Sequence, residues 1–82
     1  MLALARRRHE LAAGLPEADI ERFSAAGLLT DALRVSGQYE EALGLARATL
    51  TTARRVFGPE QKITLALMHG VPRVHASRQR RS

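Results

Sequence analysis

The sequence has no cysteine and no tryptophan. Without cysteine there is no disulfide framework, no cysteine-ligated zinc and no thiol chemistry. Aromatic residues are scarce, with two Phe and one Tyr among 82 residues. Strands draw on Val, Ile, Thr and aromatics, so a chain whose apolar content is mostly alanine and leucine favours helix. No apolar run approaches the ~18 residues of a membrane span. The opening Met1-Leu2-Ala3-Leu4-Ala5 comes before the arginines, the reverse of the order in a secretory signal. The expectation is one small all-α domain, soluble and cytoplasmic, whose modest core leaves it marginally stable.

Recognisable reaction chemistry is missing as well. There is no P-loop, no G-x-G-x-x-G and no H-E-x-x-H. His9, His69 and His75 are scattered, with no nearby carboxylate or second histidine to complete a metal site, so no metal and no cofactor are expected. Glu40 and Glu41 are neighbours, and adjacent residues on a helix point in different directions, so they do not converge as a catalytic pair. Ser24 and Ser36 lie in no nucleophile motif. Enzymatic activity is not expected.

Charge is unevenly placed. The formal net charge is +5, with a single Lys among the basic residues. Residues 1–70 are nearly neutral, and Arg73, Arg78, Arg80 and Arg81 make the remainder strongly basic with no acid among them. This divides the chain into a helical region, 1–70, and a basic tail, 71–82, which is expected to be disordered because such charge runs bury little. The preference for Arg over Lys, together with abundant Ala, fits a GC-rich bacterial genome. Membrane binding is not expected, since the tail has no aromatic or leucine anchors.

Apolar spacing predicts the helices. The first covers 2–13, with Leu4, Leu11, Ala12 and Leu15 near helical period and Gly14 as its stop. The second covers 17–36, with Pro16 at its first position and Ala25, Leu28, Leu29, Ala32 and Leu33 as one stripe. Gly37 supplies a tight turn. The third helix covers 39–57 and carries the cleanest stripe, Tyr39, Ala42, Leu43, Ala46, Leu50, Ala53 and Phe57. Gly58-Pro59 ends it, and 60–70 offers a short fourth helix that Gly70 and Pro72 interrupt. A shift of 42 residues aligns Leu15 with Phe57, Phe23 with Leu65 and Leu29 with Val71, the mark of an internal repeat.

The residues Leu29, Leu33, Gly37, Tyr39, Glu41, Ala42, Ala46 and Leu50 resemble a tetratricopeptide repeat. Gly37-Gln38-Tyr39-Glu40-Glu41-Ala42 is similar to that family's inter-helix turn and the start of its second helix. The stretch from Ala53 to Glu60, with Thr64-Leu65, resembles the longer-linker variety of kinesin light chains and many bacterial regulators. Ala26, Thr30 and Thr49 depart from the family pattern. The resemblance implies antiparallel helix-turn-helix repeats in a short solenoid. Roughly one and a half repeats are present, where stable solenoids need about three. The chain therefore reads as a terminal piece, a truncated product, or one that completes its core by self-association or with a partner.

The resemblance also implies a function, that of a non-enzymatic protein–protein interaction module. The first helix of each repeat lines a groove, which makes Ser24, Gly27, Asp31, Arg34 and Val35 the groove-facing positions. The alternative is a small nucleic-acid-binding regulator that uses the arginine-rich tail. A helix-turn-helix reading fits less well, because the third helix opens Tyr39-Glu40-Glu41 and such acids repel phosphate.

Overall fold

Among the described residues, five helices follow one another: α1 (Leu2–Ala12), α2 (Ile20–Val35), α3 (Tyr39–Phe57), α4 (Lys62–Met68) and α5 (Gly70–Arg81). They come from a computed structural model that describes residues 1–81. The architecture is all-α, with no strand among those residues. Helix α2 is the centre, packed between α1 and α3, while α4 and α5 close over α3 and the far end of α2.

The α2–α3 turn forms as the sequence predicts. Gly37 has φ of 81°, a left-handed conformation in which a Cβ would be strained. There the Gln38 N–H donates to the Leu33 carbonyl at 2.9 Å and the Gly37 N–H to Arg34 at 3.1 Å, which satisfies the last carbonyls of α2. Helix α3 spans the residues expected of it. It ends at Gly58, where φ is 94°. The start of α2 is different. Asp19 caps it by accepting from the Glu21 N–H at 2.9 Å, so the helix opens at Ile20 and Pro16 lies in the preceding turn.

The core is built of small residues at close crossings and a few large ones. Ala5, Leu29, Ala32, Leu33, Ala42, Leu43 and Val74 form one buried cluster, with Leu2, Tyr39, Leu45 and Val71 packed against it. Phe23 and Phe57 meet edge to face at 5.0 Å and join α2 to the end of α3. Ala46 is buried and Leu50 half-buried. Thr30 and Thr49 are also buried, their hydroxyls donating to the carbonyls of Ala26 and Leu45 one turn back.

Two expectations about packing are corrected. Leu4 and Leu11 are 74% and 70% exposed, because α1 turns its Leu2, Ala5 and Ala12 face inward and alanine lets it approach α2 closely. Leu28 is 41% exposed, while Phe23, Ala26 and Thr30 are buried in its stead, since α2 is covered on both flanks and not along a single stripe.

The expected disordered tail is corrected too. Residues 70–81 form α5. Pro72 falls in the first turn of that helix, where an N–H has no intrahelical partner to lose. Its ring would clash with the carbonyl four residues earlier, that of Met68, and α4 stops at Met68. Val74 is fully buried against the core, and the Arg78 guanidinium reaches Glu40 at 2.7 Å. The basic segment is thus a helix with one buried anchor and acids to receive its arginines. The 42-residue shift places Ile20, the first residue of α2, on Lys62, the first residue of α4.

Candidate functional site

A cleft of about 310 Å³ lies where α2, α3, α4 and α5 come together. Ser24, Gly27, Leu28 and Asp31 form its α2 side, Ala46 and Thr49 its α3 side, and Ala66, Leu67, Gly70 and Arg73 its far side. Its lining is mostly apolar, with a few polar groups at the edge, as in most ligand pockets. A Cβ built on Gly27 would meet no atom within 4 Å, so this glycine leaves real space in the middle of α2.

Asp31 is the acidic group of the cleft. Its Oδ1 lies 3.6 Å from Arg34 Nε and 3.7 Å from Arg73 Nη1, ion pairs beyond hydrogen-bond length. Arg34 Nε is buried and has no hydrogen-bond acceptor, while Arg34 Nη1 donates to Ser77 Oγ at 3.1 Å. The carboxylate is therefore surrounded by cations without being saturated by them. It can accept from an incoming amide or ammonium, and Arg73, more than half exposed, can turn to an incoming carbonyl or carboxylate.

Of the five groove positions, Ser24, Gly27 and Asp31 share this cleft. Arg34 and Val35 line a second, shallower concavity of about 310 Å³ with Tyr39, Ser77 and Arg80. The sequence reading missed Ala66, Gly70 and Arg73. The 42-residue shift held the signal, for it carries Ser24 to Ala66, Leu28 to Gly70 and Asp31 to Arg73. The motif residues Leu29, Leu33, Gly37, Tyr39, Ala42, Ala46 and Leu50 shape the α2–α3 hairpin, and Ala46 also reaches the cleft floor.

The opposite side of α2 is held by ion pairs. Arg6 of α1 reaches across to α3, its Nη1 donating to Glu41 Oε2 at 2.7 Å and its Nη2 to Glu41 Oε1 at 3.0 Å. Arg8 and Glu21 join α1 to α2 at 2.6 Å, and Arg55 and Glu17 join α3 to the α1–α2 turn at 2.6 Å. The Arg6 hydrogen bonds, aided by its charge, hold the Glu41 carboxyl below the usual carboxylate range. A lowered folded pKa gives stability that is present above the unfolded pKa and lost as pH falls through the folded one. Thermal melts should thus show the wild type losing its margin over Glu41→Gln as pH drops from about 5 to about 3. A constant margin would mean the clasp adds nothing.

No group of three or more His, Asp or Glu among the described residues is placed to hold a metal ion. No helix among them is long and apolar enough to cross a membrane. The chain matches no protein-family model, and no curated protein or solved structure is significantly similar to it.

Proposed function

We propose that this chain is a non-enzymatic protein–protein interaction module of tetratricopeptide-repeat type, which holds a peptide segment of its partner in the cleft between α2 and the α4–α5 corner. One observation carries the reading: Ser24, Gly27 and Asp31, groove-facing by the resemblance, line one cleft with Ala66 and Arg73, the residues 42 positions beyond Ser24 and Asp31. The apolar floor takes a side chain. Asp31 accepts a donor from the peptide and Arg73 supplies one to it, so an extended segment is read by its backbone and by one apolar anchor. The departures at Thr30 and Thr49 fit this reading, because both lie in the cleft wall with their hydroxyls satisfied within their own helices.

The test is a peptide selected against the chain from a random-sequence library, with its affinity then measured by calorimetry. Gly27→Phe places a ring in the open space of the cleft and should weaken binding roughly tenfold or more by occlusion. Gly44 also faces open space, on α3, and Gly44→Ala should leave affinity unchanged. Asp31→Ala should weaken binding by on the order of tenfold. Affinity for duplex DNA that falls steeply with salt and disappears in Arg78→Gln/Arg80→Gln, with no peptide selected, would contradict the proposal in favour of nucleic-acid binding.

A further inference from the structure

The second concavity, of about 310 Å³, is rich in hydrogen-bond donors, and no acidic residue lines it. Arg34 and Val35 come from the end of α2, Tyr39 from the start of α3, and Ser77 and Arg80 from α5. Arg34 is anchored on one side. Its buried Nε lies 3.6 Å from Asp31 Oδ1, and its Nη1 donates to Ser77 Oγ at 3.1 Å. The other Nη hydrogens have no acceptor among the described residues. Ser77 Oγ accepts from Arg34, so its own O–H is left to donate elsewhere. The Tyr39 ring packs against the core cluster, and its hydroxyl has no hydrogen-bond partner among the described residues. Arg80 is exposed and makes no ion pair among them. Its neighbours on α5 differ, since Arg73 faces Asp31 and Arg78 is held by Glu40.

We propose that this pocket binds a phosphate monoester, presented by a phosphorylated side chain of a peptide segment in the adjoining cleft. The donor set selects the group. Two guanidinium groups and two hydroxyls offer more donors than the two oxygens of a carboxylate use. A phosphoryl group brings three acceptor oxygens and nearly two negative charges at neutral pH. A nucleic acid is a poorer match, because its backbone needs a row of available cations. That row is broken here, with Arg73 and Arg78 on either side of Ser77 already facing acids. Position supplies the source of the phosphate. Arg34 stands one turn beyond Asp31 on α2, and Ser77 one turn beyond Arg73 on α5, so the pocket continues the cleft along the same seam. One turn rises about 5 Å, less than two residues of extended chain. The source therefore rests on the peptide-binding reading, whereas the donor set does not.

Two-dimensional amide NMR during titration with N-acetyl-phosphoserine amide, at fixed ionic strength, tests this proposal without any peptide. Saturable shift changes should appear at 34–39 and 77–80 and be absent with N-acetyl-serine amide. Arg80→Gln should weaken binding roughly tenfold or more, and Tyr39→Phe a few-fold, with helicity by circular dichroism unchanged. Arg7→Gln, which removes an exposed arginine from α1, should leave affinity unchanged. No saturable shifts, or equal affinity in Arg80→Gln, would overturn the proposal. Inorganic phosphate bound more tightly than the ester would overturn it in favour of a site for the free ion. Shifts produced by duplex DNA and not by the monoester would overturn it in favour of a polyanion. Peptide bound in the cleft beside a pocket that takes no monoester would fail this proposal alone. Monoester bound by a chain that takes no peptide would fail the peptide reading, and with it the source assigned to the phosphate, while the pocket stands.

Discussion

Leu33→Ala should cost about 2–5 kcal/mol and abolish a cooperative thermal melt. Leu33 is fully buried in the last turn of α2, within the cluster formed by α1, α2, α3 and α5. Its neighbours there include Ala5, Ala32 and Ala42, which have no longer side chain to swing into the cavity. A domain of this length has a stability comparable with the loss itself. Leu28→Ala, on the same helix but 41% exposed, should cost well under half as much. Circular-dichroism melts of the two variants check this. Equal losses would mean that the inner face of α2 has been assigned to the wrong residues.

Val74→Asp should release α5 while the rest of the chain stays folded. Val74 is the one fully buried residue of that helix among the described residues, and the cluster around it is made of alanine and leucine side chains that offer a carboxylate no partner. An unpaired buried charge costs several kcal/mol, more than a short arginine-rich helix gains from its partly exposed contacts. Helix α5 can leave without unfolding α1–α3, whose packing is mostly among themselves. Amide hydrogen exchange should show 70–81 losing protection in the variant, with 20–57 still protected. Unchanged protection would mean that α5 is held by its arginines. Absence of protection in the wild type would mean that the segment is a tail after all.

Much of the fold is legible in the sequence where local chemistry settles the matter. Gly37 ends α2 because only a left-handed residue can close that turn, and Tyr39 to Phe57 form α3 because one stripe runs its full length. Periodicity failed where an amphipathic stripe and the buried face part company. Leu4, Leu11 and Leu28 look like core by hydrophobicity, yet small residues at Ala5, Ala12 and Ala26 occupy the crossings, since close approach of helices needs the absence of bulk. Composition misled at 71–81, the last residue of the expected tail, Ser82, lying outside the described residues. An arginine-rich segment reads as solvated, and one valine together with acids from distant helices, Glu40 and Asp31, is enough to dock it. Those acids are far from it in sequence. The cleft was half legible for a related reason: its α2 side follows from the repeat resemblance, while its far side depends on a helix that Pro72 made appear absent.

The central claim is that the cleft between α2 and the α4–α5 corner holds a peptide. The most direct measurement is two-dimensional amide NMR of the chain during titration with a library-selected peptide. Shift changes should concentrate at 24–31 and 66–73, saturate with the peptide and be absent in Gly27→Phe. Shift changes confined to other surfaces, or equal changes in Gly27→Phe, would contradict it.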